Sequence, residues 1–268
     1  MLSGVKKKNN MVIPNNKLSI PIPLIEYCIQ EKILKPFKLY VILKRYSNGH
    51  YKIGGQELIN VYKKYYSRST YNDYKKILLG YGFIWVNRNK KILHIKSYEY
   101  VLNKLKLFKT SRVKFIPYDL NNWQEFCFSA VVINEIRRKR RYDDFVKSIR
   151  SNSRRAGSKK WEPNIPSDYI SPKYFGLSSS LIQEVTRYSK TRVSRLKQLS
   201  MESSYLIIEP KFKPLFDISP DEVKGIRKYN PNYGRKLIVD KNLVFEQMYD
   251  EIWTEELEIY SQRVKKIF

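Results

Sequence analysis

Two histidines, two cysteines and a scatter of carboxylates are the groups with the means to do covalent or metal chemistry, and their spacing does not assemble them. Nucleases that rely on paired histidines carry both on one strand, whereas His50 and His94 lie far apart in the chain. Asp217, Glu222 and Lys224 come nearest to a set for metal-assisted hydrolysis, but they fall in a Pro-containing loop. Cys28 and Cys127, each with apolar neighbours, read as reduced core thiols, and two Cys with two His at no short spacing make no zinc site. No glycine-rich phosphate loop ending in Gly-Lys-Ser/Thr occurs, and the many Tyr and Arg show no recombinase-like arrangement. The reading is of a non-enzyme that needs no cofactor and no metal.

What the chain does offer is cationic and hydrogen-bonding side chains. Lys and Arg number 52 against 25 Asp and Glu, a net charge of +27, far above the magnitude of about 2 to 8 that keeps a small domain soluble. Such an excess calls for a polyanionic partner, nucleic acid first. No apolar run reaches the roughly 18 to 20 residues a membrane-spanning helix needs. Lys6, Lys7 and Lys8 precede no apolar signal region, so a cytoplasmic protein is expected. At 42% hydrophobic and 14% aromatic residues, a chain of 268 can bury two ordinary cores.

Periodicity sets out the elements that must position these groups. Residues 1–19 read as a flexible basic arm. Leu24, Tyr27, Cys28 and Leu34, then Leu39, Ile42, Leu43 and Tyr46, recur at helical spacing up to Gly49. A short strand over Tyr51–Ile53 precedes a helix face of Leu58, Val61, Tyr62 and Tyr65, then another of Tyr71, Tyr74, Ile77, Leu78 and Tyr81, stopped by Gly80 and Gly82. The period then shortens to two over Phe83–Val86 and Ile92–Ile95, a hairpin with a basic tip.

Further on, a strand is expected over Val113–Tyr118 and a helix with Trp123, Phe126, Ala130 and Ile133 on its buried face. Its end is abruptly basic, and 137–172 read as an exposed basic insertion, a loop from residue 142 onward. Leu181, Ile182 and Val185 mark the next helix, and Val193, Leu196 and Leu199 the one after it. Tyr205–Ile208 and Lys236–Val239 read as paired strands joined by a long connection. The segment 243–268 reads as a helix on the spacing of Trp253, Leu257, Tyr260, Val264 and Ile267, packing back on its own domain or, alternatively, self-associating.

Helix, short strand, helix, helix, hairpin resembles the winged helix-turn-helix over residues 37–96. The run Ser-Lys-Thr-Arg-Val-Ser-Arg-Leu-Lys-Gln-Leu over Ser189–Leu199 resembles the recognition helix of bacterial winged-helix proteins. The expected fold is therefore mostly α with small β-hairpins: two winged-helix (α+β) domains over 20–104 and 105–242, then the C-terminal helix. A tandem pair in a chain this basic is similar to plasmid and phage replication initiators. That resemblance implies sequence-specific binding of double-stranded DNA and contact with replication machinery. A transcriptional regulator, contacting transcription machinery, is the alternative, and a nonspecific nucleic-acid-binding structural protein stands behind both.

A recognition helix reads base edges from the N-terminal half that enters the major groove. In the second module the outward residues are Ser189, Lys190, Thr191, Arg192, Ser194, Arg195 and Gln198. In the first they are Arg68, Ser69, Thr70, Asn72, Lys75 and Lys76, with Asp73 weakening the face. Arg88, Lys90 and Lys91 would lie over the adjacent DNA backbone or minor groove from the hairpin tip. Arg137, Arg138, Arg140, Arg141, Arg154 and Arg155 belong to a tract that would track phosphates or enter the minor groove.

Overall fold

The computed structural model describes residues 18–107, 111–155, 177–229, 237–240 and 243–261. They form a mixed α+β protein of helices and small antiparallel sheets. Glu125–Leu257 makes one compact unit, and the rest of the described chain makes the other. The boundary expected at 104/105 thus lies twenty residues before the one the packing draws. No helix among the described residues is long and apolar enough to cross a membrane.

The first unit runs β1 (Ser19–Pro21), α1 (Ile22–Gln30), α2 (Leu34–Arg45), β2 (His50–Lys52), α3 (Gln56–Lys63), α4 (Arg68–Tyr81), β3 (Ile84–Asn87) and β4 (Ile92–Ile95). After these come α5 (Tyr98–Lys104), β5 (Ser111–Lys114) and a 3-10 turn over Pro117–Leu120. Of the arm expected over 1–19, residues 1–17 lie outside the described residues. The last two belong to the fold, with Leu18 buried and Ser19 opening β1. The strand expected over Val113–Tyr118 stops at Lys114 because Pro117 and Asp119 make the turn, the Asp119 carboxylate accepting from the Ile116 N–H at 2.7 Å.

Strands β2, β4 and β3 form a sheet in the order β2-β4-β3, so the first strand pairs with the last. Tyr51, Ile84, Leu93 and Ile95 face the core, as period-two alternation requires. There they meet α2, whose buried Phe37 and Tyr40 pack on Phe83 at ring separations of 5.9 and 5.0 Å. The Tyr40 hydroxyl donates to the Lys96 carbonyl at 2.8 Å and the Tyr51 hydroxyl to the Leu43 carbonyl at 3.1 Å, which satisfies both polar tips. Trp123 completes the cluster against Phe37, its indole N–H donating to the Leu34 carbonyl at 2.9 Å.

The second unit contains most of α6 (Trp123–Arg155), then α7 (Ser179–Thr186), α8 (Lys190–Glu202), β6 (Ile207–Leu215), α9 (Pro220–Tyr229), β7 (Leu237–Asp240) and β8 (Leu243–Trp253). The chain then returns to the first unit as β9 (Ile259–Ser261), which pairs with β5 in a sheet ordered β1-β5-β9. Helix α6 carries Phe126, Ala130 and Ile133 buried, the face its spacing predicts, and Phe126 meets Tyr205 edge-on at 5.9 Å.

Three expectations for this half fail. The insertion is not a loop from residue 142, because α6 continues to Arg155. Arg and Lys are good helix formers, and no Pro or Gly interrupts the chain before Gly157. Residues 156–172 lie outside the described residues. The segment 243–268 is not a helix: Leu243–Trp253 and Ile259–Ser261 are strands, and 262–268 lie outside the described residues. Nor does Lys236–Val239 return against Tyr205–Ile208. Strand β8 lies between β6 and β7, and it is β8 that β6 pairs with, from Ile207 opposite Trp253 to Leu215 opposite Val244.

The reason for the helix error is in the register. Pairing passes from Lys211 with Tyr249 to Phe212 with Gln247, leaving one extra residue on β8. Such a bulge inverts the in-out alternation halfway along the strand and erases the period of two. Trp253, Leu257 and Tyr260, read as one helical stripe, end one strand, lie in the connection and occupy the next strand.

Candidate nucleic-acid interface

Helix α8 follows α7 after only Arg187, Tyr188 and Ser189. Arg187 takes a left-handed conformation, φ 54°, which ends α7 and turns the chain. Thr186 is buried there, its hydroxyl donating to the Ile182 carbonyl at 2.6 Å. Ser189 caps the new helix by accepting from the Arg192 N–H at 3.4 Å. Its hydroxyl is thus committed to the helix rather than to a ligand.

From that cap the helix divides as its spacing predicts. Val193 and Leu196 are buried, Leu199 is half-buried, and Lys190, Thr191, Arg192, Ser194, Arg195 and Gln198 are exposed. Arg192 sits over the Tyr188 ring, its guanidinium carbon 4.1 Å from the ring centre. Gln198 donates to the Glu202 carboxylate at 3.1 Å, so reading an adenine with it would first break that bond. Sequence reasoning missed Tyr188 and Lys197. Burial raises the Tyr188 hydroxyl above its ordinary value even though Arg192 pulls the other way, so the ring stays neutral beneath the guanidinium. Lys197 is 13% exposed and pairs with Asp250 of β8 at 3.6 Å, tying α8 to the sheet.

The sheet itself is poorly suited to phosphate. Lys211 of β6 is held between Glu209 at 2.9 Å and Glu251 at 3.2 Å, and these carboxylates raise its pKa. Glu222 and Lys224, expected in a loop, lie on α9. The Glu222 carboxylate accepts from the Ser219 N–H at 2.8 Å while Ser219 Oγ accepts from the Glu222 N–H at 3.2 Å, a reciprocal cap that accounts for that acid.

In the first unit α4 is capped by Ser67, which accepts from the Thr70 N–H at 3.2 Å, and it closes at Gly82 with φ 76°. Arg68, Ser69, Asn72, Asp73 and Lys76 are exposed. Thr70 is half-buried with its hydroxyl 2.9 Å from that of Ser67, and Lys75 is half-buried with its ammonium 5.9 Å from the centre of the Tyr71 ring. The outward set therefore shrinks to Arg68, Ser69, Asn72 and Lys76 around one acid. At the hairpin tip Arg88, Lys90 and Lys91 are all exposed, and Asn87 Oδ1 shapes the turn by accepting from the Lys90 N–H at 3.1 Å.

The basic tract is helical. Arg138 and Arg141 are exposed, while Arg137 and Arg140 are half-buried. Arg138 pairs with Glu135, itself buried, and burial together with the neighbouring charges of Arg141 and Arg140 lowers the Arg137 pKa. Arg154 and Arg155 belong to the same helix, and their side chains lie outside the described residues. Comparison with protein-family models, with curated proteins and with solved structures returns no match to this chain.

Proposed function

We propose that this chain binds double-stranded DNA through two winged helix-turn-helix modules, with α8 as its principal reading helix. One observation carries the reading: six polar or cationic side chains, from Lys190 to Gln198, stand exposed on a helix whose Val193 and Leu196 are buried, directly after a three-residue turn. A helix held by its apolar stripe and armed with Arg, Lys, Ser and Thr near its N-terminus suits the donor and acceptor pattern of the major groove. The net charge of +27 supplies the sequence-independent part of the affinity.

Element order supports both modules. In the first, α2, β2, α3, α4, β3 and β4 follow one another with β2 paired to β4, and Arg88, Lys90 and Lys91 crown the hairpin. In the second, α6, α7 and α8 lead into the β6 and β8 pair, with α9 and β7 inserted in the connection. The acid held along that pair makes the second hairpin a brace for α8 rather than a phosphate clamp, so phosphate binding falls to the α6 tract and the first hairpin.

As in an initiator, such a protein would occupy repeated sites at an origin in the cytoplasm; as a regulator it would occupy a palindrome. Selection of bound duplexes from a random library, then titration of the winner against scrambled DNA at about 50 and 200 mM salt, tests the reading. A motif preferred about a thousandfold supports specific recognition, and its repeat or palindrome separates the two roles. Equal, salt-abolished affinity for every sequence would replace it with a nonspecific coat.

A further inference from the structure

Apart from the basic tip of its hairpin, the outer face of the β2-β4-β3 sheet has no part in the duplex reading, and it carries a group of solvent-facing rings. Register places His50 opposite His94, and His94 opposite Trp85, so three aromatic side chains form one row across three strands. The alternation that sends Tyr51, Leu93 and Ile84 inward sends this row outward. His50 is exposed and Trp85 is 39% exposed, a large apolar ring left in water on a sheet whose other face buries Tyr51, Ile84, Leu93 and Ile95.

The row is ordered. Trp85 and His94 stack face to face at 4.4 Å with their planes 7° apart, and the His50 ring stands 6.3 Å from His94. Beyond Trp85, the Lys96 ammonium lies between two rings, 5.3 Å from the centre of Trp85 and 4.5 Å from that of Tyr100, which is 48% exposed. The next row on the same face brings Lys52, and the tip of the hairpin brings Arg88, Lys90 and Lys91. Glu99, beside Tyr100 in the chain, is engaged by Arg112 at 2.7 Å and does not offset these charges.

Solvent-facing rings with ammonium groups beside them match one kind of ligand: a strand of unpaired bases, each with a π-face to stack and a phosphate to neutralise. A duplex hides its base faces in its own stack. A second copy of the chain would set lysine against lysine across a symmetric interface. We infer that this face is a stacking platform for single-stranded DNA, with Trp85 and Tyr100 receiving bases, Lys96 the phosphate between them, and Lys52 a phosphate further along the strand. The choice of DNA over RNA, and only that choice, rests on the duplex reading above.

The test uses the full chain and labelled oligo(dT) of about 15 nucleotides, the upper range for a comparable single-strand site. Oligo(U) of equal length and a mixed-sequence duplex run in parallel, all read by fluorescence anisotropy. Trp85→Ala is expected to weaken oligo(dT) binding about 5- to 150-fold, the loss of one stacked base, while duplex affinity changes less than about twofold. Trp85→Phe should stay within about threefold of the parent, because every aromatic ring can stack. Tyr100→Ala, an exposed change on α5, carries the same expectation, so a misfolded Trp85 variant does not shelter the idea. Unchanged oligo(dT) binding in a folded Trp85→Ala or Tyr100→Ala variant, or an equal loss on duplex, overturns the platform. Tighter binding of oligo(U) overturns the choice of DNA. Trp85-dependent oligo(dT) binding in a protein without duplex specificity would leave the platform standing and sink the duplex reading alone.

Discussion

Arg192 is the residue on which the proposed recognition is most exposed to refutation. Its guanidinium sits over the Tyr188 ring and also hydrogen-bonds that tyrosine's side chain, so the tyrosine positions the fork, and pairing with a guanine edge would release that bond. A bidentate arginine-guanine pair discriminates by about 1 to 3 kcal/mol, so Arg192→Ala should weaken the selected duplex about 5- to 150-fold. The cost to folding is smaller: a partly exposed cation-π interaction contributes about 0.5 to 1 kcal/mol. Arg192→Lys separates the two roles of the side chain, since the charge survives and the fork does not. Anisotropy titrations on selected and scrambled duplexes at several salt concentrations, with urea melts of each variant, measure all of this. If Arg192 reads a base, the alanine variant loses affinity mainly for the selected duplex, and lysine restores the salt dependence but not the preference. Equal losses on both duplexes, with a slope shallower by about 0.9, would make Arg192 a phosphate ligand and refute the assignment.

Neutralising Arg137, Arg138, Arg140 and Arg141 to Gln should flatten the plot of log affinity against log salt by about 0.9 for each phosphate that these arginines neutralise; an unchanged slope would take α6 off the DNA. Ser189→Ala and Ser67→Ala each remove a helix cap and should cost about 1 kcal/mol in urea denaturation, an effect that Ser189→Asp should largely avoid. Tyr51→Phe deletes a buried hydrogen bond to the Leu43 carbonyl and should destabilise by about 1 kcal/mol, whereas Tyr71→Phe, whose hydroxyl is buried without a partner, should be neutral or stabilising. Burial, and then the neighbouring Tyr62, push the Tyr71 hydroxyl from 10.0 up to about 12. Above pH 10 the unfolded chain ionises this group while the folded one does not. Its contribution is therefore present below pH 10 and lost as pH rises toward 12, a decline that alkaline urea melts should show and that Tyr71→Phe should reduce.

Much of the local architecture was legible because its causes are local. Ser67 and Gly82 bound α4, Ser189 opens α8, and the buried Val193 and Leu196 follow a period that any reader of the chain can count. The exposed residues of α8 were therefore found with their helix. The change of period at Phe83 likewise announced the first hairpin and its basic tip. Where the period itself was misleading, the reading failed: a bulge reversed the alternation of β8, and an unbroken run of good helix formers carried α6 through residues that looked like a loop.

Charge, helix caps, the turn between α7 and α8, and the polar face of each recognition-like helix follow from the order of residues alone, since all of these depend on neighbours within a few positions. What depends on distant partners had to wait for the folded chain. Folding set β9 beside β5 and β8 between β6 and β7, seated Lys197 on Asp250, and placed His94, forty-four positions from His50, between that residue and Trp85. Such pairings are chosen by strand register and by the burial of the opposite face, and no window of sequence contains both halves of them.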